Sequence, residues 1–310
     1  MKYIFGVDLG GTSAKIGLFS QDENLIEKWE IKTDRSDNGK NILPNIASSL
    51  EEKVKELSIN KDDILGIGIG IPGPVIGERI VNKCANLGWG KIDAAAELES
   101  LTGLTVKVGN DANVALLGEA WKGCGKGYSS MIMITIGTGI GSALITHGKI
   151  VSGATGSGGE MGHVTVNLNE TITCGCGKKG CLEQYASATG MVRHAKELLP
   201  EYCKDTVLYG LEEITAKAIV DGAKEGDKLC VETVDFMGDT LGMALANANA
   251  LNDVELIIIG GGVSKAGDIV IDAIKKGYSK CAFHAQKDVE FKLASLGNDA
   301  GMYGAAKLIL

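Results

Sequence analysis

Three cysteines and one histidine lie close together near the middle of the 310-residue chain. These residues are His163, Cys174, Cys176 and Cys181. Three soft thiolates and one imidazole form the ligand set of a tetrahedral zinc site, and four protein ligands leave no position open for water. The spacing therefore predicts a structural zinc ion that holds a polar loop together. An exposed thiol pair or a redox motif is the alternative, although the segment lacks the Cys-x-x-Cys spacing of a redox motif.

Two glutamates flank this cluster. If His163 binds the metal through one ring nitrogen, its other nitrogen carries a proton and can donate a hydrogen bond to an acceptor such as a sugar hydroxyl. Glu160 and Glu183 lie on either side of the cluster and could accept hydrogen bonds from neighbouring hydroxyls. Each glutamate could equally be a solvated loop charge. The residues alone leave both interpretations open.

A carboxylate also occurs where a predicted buried strand, 105–108, passes into a predicted helix. Asn110 and Asp111 stand at that junction. A carboxylate there could accept the proton of an attacking hydroxyl, which contributes about two to four powers of ten in rate. Asp is also a preferred N-cap residue, so Asp111 could instead only cap the helix. The residues alone do not separate these two roles.

Two glycine-rich turns, each between two apolar runs, could bind phosphate groups through bare backbone amides. The first turn and its flanks contain Asp8, Gly10, Gly11, Thr12 and Lys15. A carboxylate, amides, a hydroxyl and a cation within one hairpin suit a metal-bound polyphosphate. The second turn contains Gly137, Thr138, Gly139 and Gly141. Either turn alone is typical of an ordinary glycine hairpin, but their recurrence favours phosphate binding from two sides.

A third glycine cluster, Gly260 to Gly262, follows a predicted strand and precedes a predicted helix. It could let the nucleoside end of a ligand approach the backbone closely, or it could be a corner where strand and helix pack tightly. The string Gly68, Gly70, Gly73 has the spacing of a dinucleotide-binding turn. We reject that function, because prolines surround Gly73 and the following residues are predicted to be extended rather than helical.

Apolar periodicity predicts an α/β protein with a duplicated core. In the first half we predict strands 3–8, 15–19, 25–31, 64–71 and 105–108, and helices 42–57 and 111–123. In the second half we predict strands 131–136, 142–146 and 255–259, helices that begin at 181, 212 and 228, a helix that ends near 278, a strand near 289 and a helix 299–310. The segment TIGTGIGSALIT echoes VDLGGTSAKIGLF, which indicates a duplication. Ligands of open α/β sheets bind beyond the carboxyl ends of the strands, so we expect a cleft between two α/β layers.

Charge and hydropathy exclude two classes of partner. The formal net charge is −8 and the sequence pI is near 5.2. Without a basic run, the chain is expected to bind neither nucleic acid nor a membrane. The longest uncharged apolar stretch, 131–146, is shorter than a bilayer span and contains several glycines. The first residues lack the apolar segment of a secretory signal, so we expect a cytoplasmic protein with reduced cysteines.

Four segments together resemble the ROK family of sugar kinases. They are DLGGTSAK, GNDANVAL, GGEMGH followed by CGCGKKGCLE, and IIIGGGV. The resemblance covers nearly the whole chain, and GEMGH with the cysteine string is highly specific. It implies the actin-like ATPase (ribonuclease H-like) fold, in which two α/β domains with a duplicated βββαβα core enclose a cleft. We predict an N-terminal domain 1–120, joined by the C-terminal helix 298–310, and a larger domain 121–297 that carries the zinc loop.

The resemblance implies an ATP-dependent hexokinase that phosphorylates the 6-hydroxyl of a hexose, with glucose as the first choice. N-acetylmannosamine, N-acetylglucosamine, fructose and allose are the alternative substrates. ATP, Mg2+ and a structural Zn2+ are the implied cofactors, and the partners are the hexose and ATP. A homodimer is the expectation from base rates.

The resemblance also assigns residues. The catalytic base is Asp111. The hexose-binding residues are Asn110, Asp111, Glu160, His163, Glu183, Gly73 and Asn86. The ATP-binding residues are Asp8, Gly10, Gly11, Thr12, Lys15, Gly137, Thr138, Gly139, Gly141, Gly261 and Gly262. The zinc ligands are His163, Cys174, Cys176 and Cys181. Ala85 departs from the proline that the family usually has before the asparagine equivalent to Asn86.

Two rival functions belong to other classes. ROK relatives include DNA-binding repressors, which carry a helix-turn-helix segment ahead of the sugar domain, whereas here the first predicted strand begins at residue 3. The second rival is a sugar sensor or an ATPase that hydrolyses ATP without an acceptor, and the complete set of hydroxyl-binding residues argues against it. Comparing ATP turnover with and without hexoses separates these functions.

Overall fold

The computed structural model describes all residues, 1–310, as an α/β protein. The strands are β1 (Tyr3–Leu9), β2 (Ser13–Ser20), β3 (Leu25–Lys32), β4 (Ile64–Ile71), β5 (Val75–Ile76), β6 (Ile80–Val81), β7 (Ile92–Asp93), β8 (Val106–Asn110), β9 (Met131–Ile136), β10 (Ile140–Thr146), β11 (Lys149–Ile150), β12 (Leu256–Gly260) and β13 (Glu290–Leu293). The helices are α1 (Ile42–Glu56), α2 (Ala94–Thr102), α3 (Asp111–Lys122), α4 (Glu183–Ala186), α5 (Ala188–Tyr202), α6 (Ala216–Lys224), α7 (Lys228–Asn252), α8 (Asp268–Cys281) and α9 (Ala300–Lys307). None of the helices combines the length and the apolar character that a bilayer crossing needs.

Two five-stranded sheets share one strand order. The first is β3-β2-β1-β4-β8 and the second is β11-β10-β9-β12-β13. In both sheets the first strand in sequence pairs antiparallel with the second and parallel with the fourth, and the fourth pairs parallel with the fifth. This repeated topology confirms the duplicated α/β core that the two similar glycine turns predict.

The chain divides into two compact units. The first unit comprises Met1–Gly127, Lys149–Gly159 and Ser295–Leu310, and the second comprises Tyr128–Gly148 and Glu160–Ala294. The sequence-based division differs from these units at residues 121–127, 149–159 and 295–297. The second of these segments lies in the first unit because it packs there, with Gly156 against the backbone of Val75.

The sheet of the first unit is covered on both faces. Alternate residues of β1 point to opposite faces, so Phe5, Val7 and Leu9 pack with α1 and α2, whereas Ile4 packs with Met302 of α9. Asp8 has the same parity as Ile4 and therefore lies on the α9 face. The alternation of side chains thus places this carboxylate beside the start of α9.

A buried carboxylate fixes α9 to α3. Glu119 of α3 is fully buried. Its carboxylate accepts hydrogen bonds from the Leu296 amide at 2.7 Å, the Ser295 hydroxyl at 2.9 Å and the Cys124 amide at 3.0 Å. A buried charge is tolerated only when hydrogen bonds replace its hydration. Glu119 therefore holds the segment that leads into α9 against the helix that begins at Asp111.

The structure corrects several predicted elements. The helix predicted from 181 is a single turn, α4, followed by α5, because Ser187 is extended and its hydroxyl caps α5 by accepting from the Gly190 amide. The helix predicted from 212 begins at Ala216, where Thr215 caps it. The sequence analysis missed α2 and β7. It predicted that the residues after Gly73 are extended, as β5 and β6 are, but not that they form a small sheet with β7, because two-residue strands are too short to show a period.

Candidate active site

The asparagine at the end of β8 takes the capping role that the sequence left open. The Asn110 side chain accepts a hydrogen bond from the Asn113 amide at 3.1 Å and is the N-cap of α3. Asp111 is the first residue of that helix. Its Oδ1 accepts from the Ala112 amide and from Asn110 Nδ2, both at 2.9 Å. Oδ2 accepts no hydrogen bond from another residue, so it is free to take a proton.

The environment of Asp111 favours a proton acceptor. Surrounding protein atoms raise the pKa of Asp111 above its ordinary value, because they displace water from the charged form, although part of the residue stays exposed. The hydrogen bonds from Ala112 and Asn110 lower the pKa and so oppose this rise. The resulting carboxylate is a stronger base than a fully hydrated one.

Two further predicted sugar-binding residues lie on segments beside Asp111. Asn110 Nδ2 donates to the Gly73 carbonyl at 3.1 Å. Asn86 lies on a short turn that follows Cys84. A Cβ at Gly73 would lie 2.6 Å from the Lys83 carbonyl oxygen and 3.8 Å from Cys84 Cα, so Gly73 packs against the segment that leads to Asn86. Within the first unit, the structure thus brings together Gly73, Asn110, Asp111 and the segment that carries Asn86.

The first glycine turn presents a carboxylate and a cation on one face. Asp8 and Lys15 are directly opposed in the β1–β2 ladder, so their side chains share a face. Burial raises the pKa of Asp8 from its ordinary value of 3.8 to about 6; Lys15 lowers it, while Asp111 and Asp299 raise it further. Gly301 makes room for this carboxylate, because a Cβ there would lie 2.5 Å from Asp8 Cγ.

Replacing Asp8 with Asn should stabilise the metal-free protein at high pH. The folded state binds the Asp8 proton more tightly than the unfolded state does, so stability falls as the pH rises from about 4 to about 6. Asn removes this loss, which corresponds to about 2–3 kcal/mol in the free energy of unfolding. Urea titrations in a chelator at pH 4 and pH 8 measure the difference.

We expect the stabilisation by Asp8→Asn to be present at pH 8 and nearly absent at pH 4. Asp22→Asn, at an exposed carboxylate of the same unit, is the control and should change stability little at either pH. An equal gain in the free energy of unfolding at pH 4 and pH 8 for Asp8→Asn would contradict the raised pKa of Asp8 as the cause.

Asp299 belongs to this charged group but was not predicted from the sequence. It forms an ion pair with Lys28 at 2.6 Å, and the Asn298 carbonyl beside it accepts from Lys15 Nζ at 3.1 Å. The tetrapeptide GNDA occurs twice, at 109–112 and at 297–300, and each copy precedes or begins a helix. That repeat is the signal that could have identified Asp299.

In the second unit, the four predicted metal ligands converge. The ligand atoms of His163, Cys174, Cys176 and Cys181 all lie within 4.8 Å of one another. The Sγ atoms of Cys176 and Cys181 are 3.6 Å apart, and Cys174 Sγ is 3.9 Å from His163 Nδ1. A tetrahedral zinc ion with Zn–S bonds of about 2.3 Å requires sulfur atoms about 3.8 Å apart. The donor set and its dimensions therefore fit zinc.

The geometry determines which nitrogen of His163 faces the cysteines. Nδ1 lies 3.9 Å from Cys174 Sγ and 3.5 Å from Glu183 Oε1. A metal bound through Nδ1 leaves Nε2 as the protonated donor. The turn Met161–His163 is fixed against β10, because the Met161 amide donates to the buried Ser142 hydroxyl at 2.8 Å. Glu160 immediately precedes this turn.

Glu183 joins the metal cluster to the second glycine turn. Its Oε1 accepts from the Cys174 thiol at 2.9 Å. Its Oε2 lies 2.7 Å from the position that a Cβ on Gly139 would occupy. Gly139 was predicted to bind phosphate, and the structure adds a second reason for glycine there: a larger residue would displace the Glu183 carboxylate.

Replacing Gly139 with Ala should therefore weaken hexose binding without unfolding the protein. The added methyl group meets only the flexible end of Glu183, and the backbone at Gly139 does not require a positive φ. The carboxylate would move away. Since Glu183 is predicted to accept a hydrogen bond from the hexose, its displacement should raise the hexose KM by about tenfold. Steady-state kinetics with varied hexose checks this value.

Gly137→Ala is the matched control. It lies in the same turn, but a Cβ at Gly137 meets no atom within 4 Å. We expect the hexose KM of Gly137→Ala to stay near the wild-type value, whatever happens to the KM for ATP. Equal hexose KM values for Gly139→Ala and the wild type would contradict the claim that a side chain at position 139 displaces Glu183 from the hexose.

Other parts of the second unit hold the remaining predicted nucleotide-binding glycines. The carbonyls of Gly137 and Thr138 accept hydrogen bonds from the Ala188 amide and the Thr189 hydroxyl, so this turn is fixed to the start of α5. Gly261 has a φ of +87° and packs against the end of the neighbouring strand β9, with no helix atom among its nearest contacts. A Cβ at Gly262 meets no atom, so this residue leaves open space for a ligand.

Comparisons with known proteins agree with this fold. Residues 4–310 match the model of the ROK family. A glucokinase of Halalkalibacterium halodurans is 40% identical, over 99% of this chain and 95% of its own. A glucokinase of Thermotoga maritima is 36% identical, over 99% and 96%. The crystal structure of a ROK family glucokinase from Streptomyces griseus with glucose and AMPPNP has a TM-score of 0.77 and 32% identity, over 99% of this chain and 98% of that one. The predicted actin-like fold is thereby confirmed.

Proposed function

Because the chain belongs to the ROK family, we propose that it is a glucokinase that transfers the γ-phosphoryl group of ATP to the 6-hydroxyl of glucose. Similarity to glucokinases along the whole chain supports the reaction and the substrate. One observation carries the chemical step: Asn110 caps α3, which leaves Asp111 Oδ2 without a partner and free to act as the base.

In the proposed step, Asp111 Oδ2 accepts the proton of the 6-hydroxyl. The hydroxyl oxygen bonds to the γ-phosphorus, and the bond between that phosphorus and the oxygen that bridges to the β-phosphate breaks, which releases ADP. The transition state is loose, so catalysis depends mainly on positioning and on stabilisation of charge. The raised pKa of Asp111 makes it a better acceptor at neutral pH.

Side chains on both units are proposed to bind the sugar hydroxyls. In the first unit, Asn110 and Asp111 are held by the cap of α3, and Gly73 and Asn86 lie on neighbouring segments. In the second unit, His163 Nε2 donates a hydrogen bond, and the carboxylates Glu160 and Glu183 accept hydrogen bonds. Carboxylates that accept from hydroxyls give directional, charge-assisted recognition of a polyol.

The charged group around Asp8 fits a magnesium–ATP complex. Burial is the main cause of the raised pKa of Asp8, and the nearby carboxylates Asp111 and Asp299 raise it further, so the three carboxylates give this group a surplus of negative charge. Hard carboxylate oxygens are the ligands that Mg2+ prefers. We propose that Asp8 holds this ion, which neutralises charge on the β- and γ-phosphates when bound. Lys15 and the amides of Gly10, Gly11 and Thr12 would contact the phosphates.

The zinc proposed for the cysteine cluster is structural. Four protein ligands complete its coordination, so no position is left for substrate or water. It would hold residues 163–181 together and fix the ring of His163. The second glycine turn, 137–141, and the open space at Gly262 are proposed to bind the phosphate and nucleoside parts of ATP.

A coupled assay for ADP release tests the proposed function. The panel contains glucose, fructose, allose, N-acetylglucosamine and N-acetylmannosamine, with a reaction that lacks sugar as the control. We expect the highest kcat/KM with glucose, and phosphorus NMR of the product should place the phosphate on the 6-oxygen. A higher kcat/KM with another sugar would show that this sugar, and not glucose, is the preferred substrate. ADP release at the same rate without sugar would contradict the kinase assignment.

A further inference from the structure

The short helix that carries Glu183 is fastened by a side chain on its other face. Tyr185 lies two residues after Glu183 on α4, about 200° around the helix. Its ring is buried, and its hydroxyl donates to Glu170 Oε2 at 2.5 Å and accepts from Asn167 Nδ2 at 3.0 Å. Glu183 faces the metal cluster, whereas Tyr185 faces the tip of the preceding loop.

Glu170 is the centre of this second set of contacts. Its side chain is only 10% exposed. Oε1 accepts from the Thr171 and Ile172 amides at 2.8 and 3.0 Å, and Oε2 accepts from Arg193 Nη1 at 2.9 Å. The bonds from the Ile172 amide, Tyr185, Arg193 and the Thr171 amide lower the pKa of Glu170 to about 2. Glu170 therefore stays charged wherever the protein is folded and active.

Arg193 connects these groups to the helical layer. It lies on α5, and its guanidinium sits 4.9 Å from the centre of the Tyr185 ring. The Tyr185 ring also packs edge-on against Phe236 of α7, with centroids 6.3 Å apart. The loop tip and α4 are thus attached to two long helices. We call Glu170, Tyr185 and Arg193 the anchor cluster.

The anchor cluster shares no residue with the proposed zinc site. A further link joins the loop tip to α4: Gln184 donates to the Ile172 carbonyl and accepts from the Cys181 amide, both at 3.0 Å. The metal ligands hold one side of α4, and the anchor cluster holds the other. Attachment on both sides leaves a one-turn helix little freedom to rotate.

We propose that the anchor cluster consists of positioning residues that set the direction of Glu183 toward the hexose without themselves binding the metal. The inference rests on the proposed function, because it takes Glu183 to be a hexose ligand. A change in the anchor cluster lets α4 rotate, which moves the Glu183 carboxylate. Hexose binding then weakens, while ATP binding, phosphoryl transfer at saturation and zinc content stay as they are.

Tyr185→Phe and Glu170→Gln test the proposal with little change of shape. The chain offers matched controls: Tyr202 and Glu232 form the same kind of phenol–carboxylate hydrogen bond on the surface of the same unit. Tyr202→Phe and Glu232→Gln each remove this hydrogen bond at a place where no proposed substrate-binding residue is near in sequence. We expect both anchor variants to raise the hexose KM and the calorimetric hexose Kd about tenfold, with kcat, the KM for ATP and one zinc per chain unchanged. The controls should match the wild type.

Hydrogen exchange gives a readout that does not need turnover. Amides of residues 181–186 should exchange faster in the anchor variants than in the controls, because α4 is held on one side only. Arg193→Lys, which keeps the charge but loses the planar contact with Tyr185, should show a smaller increase of the same kind.

The outcomes separate the two proposals. If the wild type neither binds nor phosphorylates a hexose, the proposed function fails, and the exchange of residues 181–186 still decides whether the cluster anchors α4. Unchanged hexose KM and unchanged exchange in both anchor variants would overturn the inference. Loss of zinc in these variants would show that the cluster acts through the metal site and would overturn the inference. A fall in melting temperature with an unchanged hexose KM would reduce the cluster to a structural role and overturn the inference as well.

Discussion

We expect Asp111→Asn to lower kcat about a thousandfold and to leave the hexose affinity within about threefold of the wild type. A rate loss of this size lies in the range known for removal of a general base. Asn has the same shape and keeps an oxygen that can accept from the Ala112 amide, so α3 still begins at the same place. It offers no carboxylate at the position of Oδ2, so the hydroxyl proton has no acceptor. Pre-steady-state kinetics and calorimetry measure the two quantities separately.

The pH dependence provides the control for this assignment. The folded protein raises the pKa of Asp111, so wild-type kcat/KM should fall as the pH decreases through that raised value, because the protonated acid cannot act as a base. The residual activity of Asp111→Asn should lack this acidic limb. Turnover of Asp111→Asn within tenfold of the wild type would refute the role of Asp111.

The duplicated core was predictable because its signal is local. Each half begins with two strands around a glycine turn, and both turns lie in short contiguous segments whose similarity is visible in the sequence. Side-chain alternation then fixes which face each residue occupies. The metal cluster was predictable for the same reason, since its four ligands lie within nineteen residues of one another, counting 163 to 181.

The contacts of buried carboxylates with distant parts of the chain were not predictable in this way. Asp8 lies against Gly301, and Glu119 accepts from Ser295, because separate parts of the chain meet in the first unit. Nothing in the local pattern around any of these residues encodes its partner. The short strands could not be predicted as a sheet for a related reason. β5, β6 and β7 have two residues each, which is too few to show the alternation that identifies a strand.

The role of Asp111 shows where sequence reasoning stopped and geometry was needed. Asn and Asp are almost equally good N-caps, so the pair Asn110–Asp111 could begin the helix at either residue. The structure assigns the cap to Asn110 through its bond with the Asn113 amide. With the cap supplied by Asn110, Asp111 is bonded to its neighbours through Oδ1, and its Oδ2 accepts no hydrogen bond from another residue.

Removal of one metal ligand should have the second large effect. Cys181 is fully buried, and its thiol lies 3.6 Å from that of Cys176. Cys181→Ser should reduce the zinc content from one ion per chain to none after washing with chelator, because the oxygen of serine is a poor replacement for a soft thiolate. Elemental analysis measures the content. Limited proteolysis should then cleave the segment 164–180 faster, since binding of a structural zinc contributes folding free energy to its loop.

Loss of the zinc should also disable hexose binding, because His163 is the proposed ligand of both the metal and the sugar. Without a metal on Nδ1, the ring is free to turn, and the Glu183 carboxylate stays bonded to the Cys174 thiol, whose pKa burial raises to about 12. Two sugar contacts are lost together, so we expect the hexose KM to rise about a hundredfold or more, whereas the KM for ATP changes little. Cys203→Ser and Cys281→Ser, at exposed thiols of the same unit, are the controls and should keep the zinc and the hexose KM. A Cys181→Ser protein that retains the ion, or a zinc-free protein that binds hexose normally, would show that the metal does not position these residues.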